Sequence, residues 1–411
     1  MLYSPFYQPE YNQTYIPEKI TITEYGEAQT YFLLNPDFFL LVSMILVTIF
    51  TSSLFSALTV LLIYKISRYF TKNEKHRILI TVAYGLGTNA LAYAVVFYVH
   101  VLGTFFSFLA FYLLFKAKQE KIKDNKYFII AGLSAGFAIL CDYNSIIIFI
   151  ICLLYSLLTF KNSKKYLFLL GGVIGVLPLL FYNYSILQNP FDLVYLHTDP
   201  KIRTDVQNLF GFLNINPFIL YRINFGLYRG FFIYNTILLL SFIGLYHMYK
   251  KFKIESILIL IAFILFVIIY STRITGWDGG TSFGQRYFLP IVPFLIIPLI
   301  YFLNKSNLKM KKIFLVFFII SIFINLLGLE NWEWMVGEKY SVLMRQDLIK
   351  KSSTTFNVIA NPILDHYIPF FMRYGLSSKL LEGHLDIRVS YITGMFSISG
   401  FIVLAILIFL F

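Results

Sequence analysis

The chain has 411 residues, of which 58% are hydrophobic and only 13% charged, and its mean hydropathy is +0.72. Soluble domains carry about 25% charged residues, so this composition excludes a soluble enzyme, a disordered chain and a disulfide scaffold, and leaves a polytopic membrane protein. The formal charge of +13 sits in five short stretches, Lys65–Arg77, Lys116–Lys126, Lys161–Lys165, Lys250–Glu255 and Lys305–Lys312, which hold 20 of the 34 basic residues and four of the 21 acidic ones. Basic loops between apolar runs mark the cytoplasmic side of a membrane protein. No clustered basic face beside exposed aromatics suits nucleic acid, and none is expected as a partner.

An apolar run crosses the hydrocarbon core with about 20 helical residues. Phe38–Tyr64 is uncharged and is followed by Lys65 and Arg68, which puts its end in the cytoplasm and residues 1–37 outside. That acidic N-terminal tail (Glu10, Glu18, Glu24, Glu27, Asp37) has no preceding signal, so an in-to-out helix is expected ahead of it. Ile78–Phe115 has no charged residue in 38 positions. It would be about 57 Å long as one helix, too long for a single crossing of about 30 Å, and both its flanks are basic. Two short helices meeting near Gly85–Asn89 satisfy both constraints. Tyr127–Phe160 repeats the pattern, with Cys141-Asp142-Tyr143-Asn144 at the turn of the pair. Cys141 and Cys152 fit neither metal nor disulfide spacing and read as small apolar residues.

Farther along, Tyr166–Leu187, Phe231–Tyr249, Ile257–Ile269, Tyr287–Leu303, Ile313–Leu329 and Tyr391–Phe411 alternate across the membrane. The expectation is an all-α protein of about eleven membrane helices. Its core is residues 1–329, its external segment 330–390 and its terminal helix 391–411, with the active face outside, at the cell membrane.

The remaining polar groups collect on the outer side of this topology: His100, Asp142, Tyr143, Asn144, Arg222, Tyr228, Arg229, Trp277, Asp278, Arg286 and Tyr287. Ionisable groups at membrane depth are costly and face a cavity or a partner. Carboxylates beside guanidiniums suit a ligand with a phosphate head and an apolar tail. Arginine binds phosphate oxygens bidentately, and a carboxylate takes a proton from an attacking hydroxyl. Each residue also has a plainer role. Trp277–Gly280 fits an interfacial tryptophan before a tight turn, Arg286 fits a headgroup anchor, and His100 fits a packed core histidine. No metal cluster is expected.

Several strings together resemble a known family: YGLGTNALAYAVVFYVHVLGTFFSFLAFYLLF at 84–115, GLSAGFAILCDYNSIIIF at 132–149, YNYSILQNPFDLVY at 182–195, FGLYRGFFIYN at 225–235, WDGGTSFGQRYFLPIVPFL at 277–295 and NPILDHYIPFFMRYGLSS at 361–378. The chain resembles prokaryotic relatives of the protein O-mannosyltransferases, glycosyltransferase family 39 of the GT-C superfamily, from about residue 80 onward. The resemblance implies an enzyme that takes a sugar from a polyprenyl-phosphate carrier, with inversion, and passes it to an external acceptor (protein, lipid or glycan). It implies no tightly bound cofactor, the carrier-linked sugar being the donor substrate, and the lipid bilayer as surroundings. Carried over by motif, Arg286 and Arg229 become candidate phosphate contacts, and Trp277, Asp278 and Tyr287 shape the pocket; the clustering of polar groups on the outer face adds Arg222 to the phosphate contacts and His100 and Tyr143 to the pocket. Asp142 is the candidate catalytic carboxylate. The superfamily's usual carboxylate lies in the first external loop, and LYSPFYQP at 2–9 resembles the segment after that loop, which keeps a non-catalytic membrane subunit as an alternative. A lipid or sugar transporter is a second, which would show broken helices in repeated halves with charges near the midplane.

Overall fold

The computed structural model describes residues 36–161, 163–192, 197, 215–272, 277–279, 282–330 and 362–368. The chain divides into two units, Met1–Ser43 and Met44–Phe411, and all that follows concerns the second. The expected outer segment 1–37 and the terminal helix 391–411 lie almost wholly outside the described residues, as does most of 330–390.

Helix α1 (Pro36–Thr48) contains the boundary; a π-turn (Ile49–Ser53) and α2 (Leu54–Ser67) follow. Next come α3 (Glu74–Gly87), the short α4 (Ala90–Ala94) and α5 (Val99–Gln119). The uncharged run 78–115 therefore breaks where expected, at Thr88 and Asn89, but the two halves are unequal. A second interruption at Val95–Tyr98 leaves α5 long enough to cross a membrane alone. Both breaks free backbone groups that lipid cannot satisfy, and buried or half-buried side chains take them up. The Asn89 N–H donates to Asn235 Oδ1 (2.9 Å), Ser53 Oγ donates to the Ala94 carbonyl (2.7 Å) and the Tyr98 N–H donates to Ser52 Oγ (3.1 Å).

Helices α6 (Asn125–Cys141) and α7 (Ser145–Thr159) form the second expected pair, with Asp142–Asn144 at its turn. Asp124 caps α6 by accepting the Lys126 N–H at 2.9 Å. The next helix, α8 (Lys164–Leu187), packs backbone to backbone on α6. A methyl group on Gly132, Gly136, Gly171 or Gly175 would collide with main-chain atoms of the opposite helix, the small-residue contact that membrane helices use in place of hydrophobic burial.

The chain continues through α9 (Pro217–Phe225), capped by Asn216, then α10 (Phe231–Tyr234), a 3-10 turn (Thr236–Leu240) and α11 (Ser241–Tyr249). Helix α12 (Lys253–Ser271) follows. A 3-10 turn (Arg286–Ile291), α13 (Val292–Ile296) and α14 (Pro298–Lys305) then make a span bent by 43°. Pro290, Pro293 and Pro298 lie in that stretch, and each removes a backbone donor and bends the run. Helix α15 (Leu308–Glu330) closes the bundle. Its Ser321 Oγ accepts the Ile237 N–H (2.7 Å) and its Asn325 Nδ2 donates to the Tyr234 carbonyl (2.9 Å), so it satisfies the broken backbone around α10.

The described residues form helices and connections, without strand, so the protein is an all-α membrane protein. Among them five helices are long and apolar enough to cross, or six if the bent pair counts as one span, with shorter apolar helices at Asn125–Cys141, Ser145–Thr159 and Thr236–Tyr249. Phenylalanines fill the core: Phe108, Phe111, Phe115, Phe266, Phe288 and Phe294 are almost fully buried. Outward-facing Phe50, Leu158, Phe181 and Ile319 meet the surroundings, as lipid-facing positions do.

All five basic stretches are linked to one another at one end of the bundle. Arg68 pairs with Glu120 (2.8 Å), Lys118 with Glu255 (2.6 Å), Lys164 Nζ donates to the Ile122 carbonyl (3.2 Å), and His76 Nδ1 bonds Asn304 Oδ1 (2.8 Å), the residue before Lys305. Glu120 also accepts from the Tyr69 hydroxyl. That bond, with the charges of Lys116 and Arg68, holds its carboxyl below the usual range. The charge clustering read from the sequence is therefore one physical surface.

Candidate functional site

At the other end of α5 the connections between helices converge. Tyr98 occupies the N-cap position of α5, and two residues on, in the first turn, His100 is buried at 7% exposure. Its Nδ1 lies 2.7 Å from Oδ2 of Asp142, which is 6% exposed at the end of α6. The other Asp142 oxygen, Oδ1, accepts the Asn144 N–H at 3.1 Å. The approach depends on Gly103, three residues after His100 on the same face of α5. A β-carbon there would lie 2.8 Å from both Asp142 Cβ and Ser145 Oγ, closer than atoms pack. The spacing His100-Val-Leu-Gly103 thus opens a seat for the α6–α7 turn and supplies its hydrogen-bond partner.

The imidazole is held between two tyrosines. Tyr98 stacks on it at 6.1 Å and Tyr287 meets it edge-on at 5.8 Å. The same two tyrosines hold Arg286, whose Nη1 donates to the Tyr98 hydroxyl (3.2 Å) and Nη2 to the Tyr287 hydroxyl (3.5 Å). The guanidinium carbon lies 5.4 and 5.1 Å from their ring centres. Tyr287 in turn stacks on Tyr270 of α12 (4.7 Å, 10° between planes), and the Tyr270 hydroxyl bonds Asn144. The contacts close a ring from Asp142 through His100, Tyr98, Arg286, Tyr287, Tyr270 and Asn144 back to Asp142. Asp142 and Arg286 therefore share one site at one end of the bundle.

Arg286 Nε is buried with no hydrogen-bond partner, and among the described residues no carboxylate pairs with this arginine. Arg229 differs. It is 4% exposed and its Nη1 lies 3.5 Å from Asp278 Oδ2 and 3.4 Å from the Asp278 carbonyl. Its backbone is left-handed (φ 75°), a conformation that costs a bulky residue energy and that surrounding contacts must impose. Burial raises the pKa of the neighbouring Tyr228 hydroxyl. Trp277 contributes its backbone carbonyl, which accepts from Gln285 Nε2 at 2.8 Å, so Trp277 and Asp278 brace the turn that carries Arg286. Tyr93 of α4 packs on Tyr98 (5.5 Å) and bonds the Phe283 backbone through its hydroxyl as both donor and acceptor, tying α4 to the turn that precedes Arg286.

Two of the expected site residues stand in other surroundings. The Arg222 guanidinium lies over the ring of Phe218, one turn back on α9, at 4.1 Å. Half-buried Tyr143 points along the α6–α7 turn toward Asn183 of α8. Sequence reasoning missed Tyr98, Tyr270 and the buried amides Asn235 and Gln285, and took Asn89 only as part of a helix break. Tyr98 and Asn89 carried a signal, since each is a polar group at a helix break within an uncharged run. Tyr270 and Gln285 carried none apart from their long-range partners. Among the described residues no three His, Cys, Asp or Glu side chains converge as metal ligands would.

No curated protein and no solved structure matches the chain. Residues 30–182 match the family described as dolichyl-phosphate-mannose-protein mannosyltransferase. That stretch contains His100, Asp142 and Asn144 and stops short of Arg229 and Arg286, and over it the chain is mannosyltransferase-like.

Proposed function

We propose that the protein transfers a sugar from a polyprenyl-phosphate carrier to a hydroxyl acceptor on the external face of a membrane. The observation that carries this reading is the shared ring of contacts between Asp142, inside the mannosyltransferase-like stretch, and Arg286, far outside it. The acceptor oxygen forms a bond to the anomeric carbon, the bond from that carbon to the carrier phosphate breaks, and the hydroxyl proton passes to the protein. With the Nδ1 proton of His100 donated to Asp142, the lone pair on Nε2 is the proton-accepting site, and Asp142 fixes the tautomer and steadies the charged imidazole. Arg286, braced by two tyrosines and with no carboxylate of its own among the described residues, takes the phosphate as it gains charge. Arg229, already paired with Asp278, positions the loop. The lysine-rich end faces the cytoplasm by the positive-inside rule, which puts the ring of contacts outside.

The test is transfer in liposomes by the full chain, with polyprenyl-phosphate mannose as donor and a serine- and threonine-containing peptide as acceptor. Release of polyprenyl phosphate with formation of glycosylated peptide is the expected result. Transbilayer movement of the intact donor without cleavage would support the transporter instead.

A further inference from the structure

At the basic end of the bundle, opposite the ring of contacts around Asp142, lies a cavity of about 510 Å³ lined by Phe70, His247, Lys250, Lys251, Tyr301 and Lys305. Its walls come from three distant parts of the chain: the α2–α3 link, the end of α11 and the end of α14. Phe70 and Tyr301 pack edge-on at 6.1 Å and are both buried, so the floor is firm and aromatic while the three lysines at the rim are exposed.

The acids of this end are engaged elsewhere. Glu120 is held by Arg68, Lys116 and Tyr69, Glu255 by Lys118 and Tyr155, Asp124 caps α6, and Glu74 accepts from Tyr64. Among the described residues no carboxylate pairs with Lys250, Lys251 or Lys305, and none lines the cavity. A second, smaller basic hollow near Lys121 and Lys123 differs, because Lys118 is bound to Glu255 there and Lys164 to a backbone carbonyl. The larger cavity is thus a concentration of positive charge that the protein leaves without an internal counter-charge.

We propose that this cavity binds the phosphate headgroup of an anionic phospholipid. The ligand chemistry is a phosphate-class anion, and the surroundings favour a lipid as its source. Ile243 and Tyr246 of α11 and Lys250, the residue that ends it, follow one another at helical spacing, the first two exposed. Lys250 Nζ lies 5.6 Å from the Tyr246 ring centre and the Tyr246 ring 5.4 Å from His247. An apolar, aromatic strip therefore runs along α11 directly into the basic cavity, as an acyl chain followed by its headgroup requires. Basic pockets between membrane helices on the cytoplasmic side suit such headgroups. The proposal is independent of sugar transfer.

The experiment is native mass spectrometry of the full chain in detergent, titrated with phosphatidylglycerol, phosphatidylcholine and inorganic phosphate. Three proteins are compared: wild type, the triple variant K250Q/K251Q/K305Q, and the control K309Q/K311Q/K312Q, which removes the same charge from exposed lysines of α15 outside the cavity. Wild type and control are expected to retain phosphatidylglycerol at least about tenfold better than phosphatidylcholine, and the cavity variant to lose that preference. Equal loss in both variants, or none in the cavity variant, would overturn the site. Inorganic phosphate binding as tightly as phosphatidylglycerol would overturn the lipid as its source.

Discussion

A carboxylate with both oxygens engaged is a poor lone base and a good orienting group. Asp142 accepts from His100 and from the Asn144 N–H, which makes His100 the exchangeable member of the pair. Asp142→Asn and His100→Gln should each lower kcat for transfer by about two orders of magnitude, with carrier binding within about twofold. The double variant should be no worse than the more damaged single one, because the two act as a unit. Additive losses in a double-mutant cycle would break the dyad. Arg286 makes a separate prediction: Arg286→Ala should weaken polyprenyl-phosphate binding at least about tenfold, and Arg286→Lys should recover only part of it, since an ammonium cannot reproduce the planar fork. Titration of the carrier against reconstituted protein measures both. Unchanged binding by Arg286→Ala would remove Arg286 from the phosphate site.

Among the helices, two close approaches make distinct demands. Where α6 and α8 touch through glycines, Gly136→Leu places a side chain against main chain that cannot move aside. Overpacking of this kind costs about 1–3 kcal/mol or more, read as a drop in Tm with loss of activity in proportion to unfolding. Gly103→Leu instead pushes the Asp142 turn away from α5, so transfer should fall far more than Tm does. At the basic end, Glu255 is fully buried, with Oε1 shared by Lys118 and Tyr155 and Oε2 without a partner. Lys118→Met leaves that charge uncompensated and should destabilise by the low end of about 3–5 kcal/mol, because the Lys118 side chain is itself 32% exposed. Adding Glu255→Gln should restore much of the loss. Equal Tm values for Lys118→Met and wild type would show the pair to be inert. The lowered Glu120 pKa acts in the opposite sense to acid: its contribution is present above the ordinary carboxylate range and fades as pH falls through the folded value.

For the whole molecule the governing property is polarity along the bundle axis. A cysteine at Tyr143, in a background lacking Cys141 and Cys152, should react with an impermeant thiol reagent added outside intact cells, and a cysteine at Lys123 only after permeabilisation. The reverse pattern would invert the topology and with it the site. Much of this axis was legible beforehand. Composition, the length of uncharged runs and the spacing of lysines are local properties of the chain, and they are enough to state the class, the break at Asn89, the turn at Asp142 and the separation of a basic end from a mixed-charge end. They say nothing of which guanidinium stays without a carboxylate. Arg229 and Arg286 look equivalent along the chain, and only folding pairs one with Asp278 and sets the other between Tyr98 and Tyr287. The His100–Asp142 bond and the cavity beside Lys250 likewise join segments tens to hundreds of residues apart. Helix crossing and three-dimensional packing decide such meetings, and no pattern along a single segment encodes them.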